Sequence, residues 1–304
     1  MQYVSQQITG FTSTNLTDTY NDYSPVTTYT FESGTPTNAS IARYGTYYYR
    51  SLVNGNVGNT PTEHENIKWL KWEVSNKYAI LDLSAQSKSR YTGDMVVEFL
   101  QNRMTTLGIG NYEANTVTIE IKDILETVIW SYTTTSALNE FITDYYSYMY
   151  EDYGYEVDRA FKLNLPIIGH KVKVTFNKST EATTTACGFL VGGTPVSIGK
   201  TLYGVNFQFT SYAVKEFDDF GTLTITKRAV QDLVDFETVI NSNELISMKK
   251  EVKKIYNDIV MFIVDENDDS PYENLITLGT IQEMSTVLEN PVVTIMSFSI
   301  VEAI

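Results

Sequence analysis

Thr116–Ile121, TVTIEI, and Lys171–Phe176, KVKVTF, decide the fold class. In the first, Val117, Ile119 and Ile121 share one side, with Thr116, Thr118 and Glu120 on the other. In the second, Val172, Val174 and Phe176 oppose Lys171, Lys173 and Thr175. A period of two is the repeat of an extended chain, whose successive side chains point to opposite faces. Each stretch therefore reads as a strand with one buried face. Runs of this kind, separated by turn residues over 76–190, predict a sandwich of jelly-roll type. Composition agrees, because 22 tyrosines and the threonine runs at 27–28, 133–135 and 183–185 are strand formers. The expected architecture is mainly β: two β-sandwich-like domains, a small N-terminal β module and one flanking helix.

C-terminal to the sandwich, a second one is expected over 191–304. GGTPVSIGKTLYGVNFQFTSY is punctuated by glycine and then strand-like, and FGTLTITKR reads as a hairpin arm. The clearest helix is 242–256. Asn241 is placed to cap it, with Glu244 three residues on to bond back. Leu245, Met248, Val252, Ile255 and Tyr256 form one apolar stripe, and lysines in the last turn suit the helix dipole. The strands DIVMFIV and VVTIMSFSIVEAI follow, with the polar turn DENDDSPYEN between them. The segment SALNEFITDYYSYMYEDYGYEV (136–157) mixes helical spacing with strand alternation, and predicts a short helix or turn leading into a strand.

Residues 1–40 are polar and rich in Thr, Ser and Asn. They read as an extended arm that needs a neighbour to order it. Residues 41–75 are different. Tyr44, Tyr47, Tyr48, Tyr49, Trp69 and Trp72 crowd around the turn signals Asn54-Gly55, Gly58-Asn59 and Pro61. Short strands joined by such turns make a small β module whose rings serve a core, a protein contact or a sugar face.

Bulk properties narrow the function classes. A net charge of −15 argues against gripping nucleic acid through its phosphates, so no sequence-specific nucleic acid partner is expected. It suits a wall past which DNA slides without sticking. With Cys187 as the only cysteine, no internal disulfide forms. The N-terminal MQYVSQQITGFTSTN lacks the basic and apolar parts of a signal peptide, and no apolar run is long enough to span a membrane. Synthesis and folding in a cytoplasm are expected.

The candidate chemistry is thin. His64 and His170 lie in different predicted units without a second ligand at metal spacing, so no metal site is expected. Cys187, in ACGFLVGG, reads as a small buried residue. DENDDSPYEN begins like a calcium loop but has neither the turn glycine nor the closing acid. VGGTPVSIGK lacks phosphate-loop spacing, and the acid pairs Glu151-Asp152 and Asp218-Asp219 carry no set separation. No enzyme activity and no cofactor are expected.

The spacing YGTYYYRSLVNGNVGNTP…WLKW resembles the small chitin- and cellulose-binding modules of bacterial chitinases. Further on, SNKYAILD, the CG-x-LV-x-G run ending at Gly192, FDDFGTLTITKR and the terminal FSIVEAI resemble a family of bacteriophage virion proteins encoded among tail genes and often labelled carbohydrate-binding. The resemblance covers roughly 44–304. It departs from the sugar-binding pattern in its crowded tyrosine triplet and in the charged run THEN. It implies a structural protein of the virion tail, made in the host cytoplasm: a hub, collar or baseplate-like subunit, with copies of itself in a ring and other tail proteins as partners. The alternative it implies is recognition of a host receptor or surface glycan. In either case Tyr47, Tyr48, Tyr49, Trp69 and Trp72 are the expected contact residues.

Overall fold

The computed structural model describes residues 1–84, 86–135, 160–178, 184–217, 223–264, 276–287 and 292–303. The ambiguous segment 136–157, the polar turn 265–274 and both acid pairs lie outside these residues. The fold is mainly β, with strands numbered in chain order.

TVTIEI and KVKVTF become neighbouring strands of one sheet. Its order is β10 (Val128–Thr135), β9 (Thr116–Lys122), β12 (Lys171–Asn177), β7 (Met95–Leu100) and β2 (Ser13–Thr14), all antiparallel. Val117, Ile119, Ile121, Val172, Val174 and Phe176 are fully buried, as the alternation requires. The outward lysines pair across strands, Lys122 with Glu98 at 2.6 Å and Lys173 with Glu120 at 3.1 Å. A four-stranded sheet, β11 (Ala160–Asn164), β8 (Thr106–Glu113), β13 (Thr184–Gly193) and β6 (Ser89–Thr92), packs over the buried face and completes a sandwich.

The second sheet is buried on both sides. Leu107, Ile109 and Leu190 face the sandwich core. Phe189 and Val191 face a second interlayer with Val4, Met261, Ile263 and Leu278. That interlayer is closed by an eight-stranded antiparallel sheet. Its order is β14 (Val196–Ser197), β1 (Gln2–Val4), β20 (Val260–Ile263), β21 (Ile276–Val287), β22 (Val293–Glu302), β19 (Val230–Asn241) and β15 (Lys200–Thr201), with β16 (Asn206–Ser211) also on β19. Close approach at this interlayer depends on Gly108 and Gly110 of β8. A Cβ at Gly108 would stand 2.0 Å from Met261 Sδ, and one at Gly110 would stand 2.1 Å from the Phe189 ring.

The outer face of the large sheet carries the expected helix, α1 (Leu245–Ile255). Val252 and Ile255 are buried there, and Leu245 and Met248 pack on the same core beside Phe236 and Phe298. The expected cap is corrected: the Asn241 side chain makes no capping bond. Asn241 is still a strand residue, paired with Val293 and extended at ψ 136°, and a 3-10 turn at Ser242–Glu244 intervenes before the helix. The layers are therefore sheet, sheet, sheet and helix. The sequence boundary between 190 and 191 falls inside β13, a strand of the middle sheet that faces a core on each side.

The polar N-terminal residues are ordered by the chain's own sheets. β1 lies between β14 and β20. Gln6 then clips onto β13, donating from Nε2 to Leu190 O at 2.7 Å and accepting from Gly192 N–H at 3.0 Å. Ile8 and Leu16 enter the sandwich core, and β2 pairs with β7. Tyr23 N–H donates to Arg43 O at 2.8 Å, which brings the thread to the aromatic module.

Candidate functional site

The module is a three-stranded sheet, β3 (Ile41–Tyr44), β4 (Tyr47–Ser51) and β5 (Trp69–Val74). Gly45, with φ 65°, occupies the first position of the two-residue turn between Tyr44 and Tyr47, where a tight hairpin needs a left-handed residue. Strand alternation then divides the tyrosine triplet. Tyr49 and Tyr47 face a small core with Tyr29, Ala42 and Trp69. Tyr48 faces the other way, against Tyr20 at 5.1 Å between ring centroids, and its hydroxyl accepts from Thr19 N–H at 2.8 Å. Burial pushes the Tyr48 phenol above its ordinary range.

The two tryptophans have different surroundings. Trp69 is fully buried. Its indole N–H donates to Asn59 O at 2.7 Å, and Tyr29 meets its ring edge-on at 4.9 Å. Trp72 is 40% exposed and tilted 46° to Tyr20 at 6.1 Å. Tyr47 is half-buried, with Lys71 Nζ 3.5 Å above its ring. The five expected contact residues therefore do not meet on one platform. Trp69, Tyr48 and Tyr49 hold the module together, while Trp72 and Tyr47 retain accessible ring surface.

An apolar surface with little cover among the described residues lies elsewhere. β16 pairs with β19 from Asn206↔Asp235 to Ser211↔Val230. Tyr212 N–H continues the ladder to Ala229 O at 3.1 Å, and the hairpin β17 (Val214–Phe217) with β18 (Leu223–Thr226) extends it. Together they form one two-stranded β-arm. β22 joins β19 only from Leu233 onward, so the ribbon runs past the sheet, by about 20 Å from Ser211 to Phe217 at ~3.4 Å per residue. No described residue from Leu202 to Leu233 is buried, although Tyr203, Phe207, Phe209, Leu223 and Ile225 lie in this span. Tyr203 is 99% exposed and Phe209 73%. Sequence alternation marks NFQFT as a half-buried strand, yet every residue of β16 is exposed.

A second apolar surface sits at one end of the outer sandwich sheet. The β9–β10 turn carries Ile124 and Leu125, and the loop before β12 carries Ile167 and Ile168; all four are 60–80% exposed. His170 N–H donates to Lys122 O at 2.8 Å, which holds the two tips side by side. Adjacent aliphatic pairs within polar turn residues, Ile124-Leu125 and Ile167-Ile168, are the sequence signal for this patch.

Chemistry-bearing groups are otherwise quiet. Cys187 is buried, and desolvation pushes its thiol far above the ordinary range, so it is not an activated nucleophile. His64 Nδ1 lies 3.2 Å from Thr60 O in the aromatic module. No group of three or more metal-ligating side chains occurs among the described residues. The glycine-rich VGGTPVSIGK brings backbones together: a Cβ at Gly193 would stand 2.3 Å from Ser5 O. An open groove of about 310 Å³ is lined by Asp235, Glu237, Glu283 and the serines 285, 297 and 299 on β19, β21 and β22. Among the described residues no helix is long and apolar enough to cross a membrane.

Fold and surface together define a class: a layered, mainly β chain with a projecting β-arm. No protein family, curated protein or solved structure matches it.

Proposed function

We propose that this chain is a structural component of a bacteriophage virion tail, a hub-, collar- or baseplate-like subunit that scaffolds assembly with copies of itself and with other tail proteins. The β-arm carries this reading. A lone two-stranded ribbon is at best marginally stable in water, and exposed phenylalanines on an uncovered strand edge invite pairing with another chain. An element with these properties belongs in an assembly that covers it.

Two measurements test the proposal. Sedimentation of the purified full chain should give discrete multimers, imaged as rings, and Phe209→Asp with Ile225→Asp should return monomers of unchanged melting temperature. Antibody against the chain should decorate the tails of intact particles. A wild-type chain that stays monomeric with an ordered arm would overturn the ring, and undecorated particles would overturn the tail.

Glycan recognition on the host surface is the second reading. It is favoured by exposed Trp72 on the edge strand β5, with Tyr20 beside it. A glycan array probed with the full chain and with Trp72→Ala decides it. Signal on a defined glycan that Trp72→Ala abolishes supports it, and equal silence from both proteins removes it.

A further inference from the structure

Resting on the glycan reading above, we infer that the cleft between the N-terminal thread and the edge of the sandwich binds an acidic saccharide. Arg90 holds its anionic group, and threonine hydroxyls meet its own hydroxyls. The cleft is open, with a volume of about 560 Å³, inside the ~300–1,000 Å³ of small-molecule sites. One wall is the thread at Thr17, Asp18 and Thr19. The other is the edge strand β6 at Arg90 and Thr92, with Thr184 opposite Thr92 on β13.

Asn76 sets the spacing of the two walls. Its Nδ2 donates to Thr17 O and to Arg90 O, each at 2.9 Å, and its Oδ1 accepts from Arg90 N–H at 2.8 Å. The cleft is therefore formed before a ligand arrives, which lowers the ordering cost of binding.

The groups left unengaged in the lining define the ligand. Asp18 is not one of them. It pairs with Arg43 at 3.1 Å and accepts from Lys77 N–H at 3.0 Å and from the Tyr48 hydroxyl at 3.2 Å. Arg90 is exposed, and its guanidinium makes no hydrogen bond or ion pair with a described residue. Its field reaches Glu113, but the Glu113 carboxylate takes its hydrogen bond from Lys88 at 2.8 Å. The side-chain hydroxyls of Thr17, Thr19, Thr92 and Thr184 also have no partner among the described residues. Arginine grips a carboxylate or sulfate through paired N–H bonds, and each hydroxyl both donates and accepts. A guanidinium among four open hydroxyls thus matches an anion carried on a polyhydroxylated frame.

The surroundings favour a saccharide over a nucleic acid strand. A nucleic acid needs a stripe of cations, whereas Arg90 is the one cation in the lining and the whole chain carries −15. The Tyr48 hydroxyl accepts from Thr19 N–H at the cleft wall. Its ring meets Tyr20 at 5.1 Å, and Tyr20 meets exposed Trp72 at 6.1 Å. The cleft thereby leads toward the aromatic surface of the glycan reading, where a further sugar unit finds a ring to stack on.

A glycan array probed with the full chain tests this. Each carboxylated or sulfated oligosaccharide is printed beside its carboxyl-reduced or desulfated counterpart, with single-stranded DNA as a control. Wild type should hold an acidic glycan about 10–100-fold more tightly than the neutral counterpart, the range for one charge-assisted contact. Arg90→Gln should bind both forms alike, at the neutral level, and Arg90→Lys should recover part of the preference. Thr92→Val with Thr184→Val should weaken both forms. Arg90 meets Asn76 through its backbone, so Arg90→Gln should keep the wild-type melting temperature. Neutral glycans bound as well as acidic ones, with Trp72→Ala abolishing the signal and Arg90→Gln without effect, would overturn the cleft and leave the glycan reading standing. Equal Arg90-dependent retention of DNA would show recognition of charge alone and overturn the saccharide. Silence on every glycan would overturn both.

Discussion

Trp69 and Trp72 stand three residues apart on β5, and strand geometry gives them different tasks. Trp69 fills the module's small core, so Trp69→Ala should cost about 3–5 kcal/mol, the usual range for emptying a buried tryptophan site. Trp72→Ala removes a half-open ring and should cost under about 1 kcal/mol, as exposed substitutions do. Denaturant unfolding followed by exchange of amides 41–75 separates the two; equal losses would contradict this division. Cys187 gives a second check. Its thiol is buried and held protonated, so a thiol reagent at mild alkaline pH should label it only as fast as the sandwich opens. Glu113 adds a pH dependence. The hydrogen bond from Lys88 at 2.8 Å holds its carboxyl below the ordinary range. A carboxyl depressed in the folded state stabilises above its unfolded pKa, and that contribution is lost as pH falls through the folded value. The pair is partly exposed, so the effect is about 0–1 kcal/mol. Lys88→Met should flatten the acid limb of the melting-temperature profile below about pH 5 and change little at neutral pH.

At the scale of elements, what the sequence reveals depends on whether an element's partners leave a periodic trace. β9 and β12 each have one wet face, so alternation exposes them directly. β13 has no wet face; ACGFLVGG gives an apolar run without a period, and its place between two cores is invisible to pattern. The GIG of β8 is equally silent, because glycine marks a close approach without naming the partner. For Gly108 that partner is Met261, some 150 residues away in the chain. Gly108→Ala should therefore cost about 1–3 kcal/mol through overpacking. Met261→Ala should itself destabilise by leaving a cavity, and the double variant should be more stable than the two losses added. A double-mutant cycle in urea with strict additivity would show that the two residues do not compete for the same space. The β-arm misleads in the opposite sense. NFQFT has the alternation of a half-buried strand, but all six residues of β16 are exposed. Of the candidate contact residues, the sequence placed the aromatics in one module but could not divide them between its faces, since the division follows from the Tyr44–Tyr47 turn and the bulge between β4 and β5.

For the whole molecule, two segments at the margins of the sheets differ in what orders them. The N-terminal thread passes from the eight-stranded sheet through the sandwich to the module, with Tyr3, Val4, Ile8 and Leu16 buried on the way. Its ordering is backbone pairing over long sequence separations, which leaves no local pattern and so reads as a free arm. The β-arm has no such cover among the described residues. Hydrogen exchange tells the two apart. The N–H groups that tie the thread to its neighbours, such as Gln7 to Gly192 O and Thr12 to Glu98 O, should be protected at every protein concentration, because opening them disrupts two cores at once. Amides of β17 and β18 are tied into a ribbon without a core, and should exchange within seconds in dilute monomer. Above the assembly concentration they should slow by a factor of 10 or more, about 1.4 kcal/mol per decade. Protection that appears in the thread instead, with the arm unchanged, would make the N-terminal residues the assembly contact and leave the exposed phenylalanines of β16 without a role.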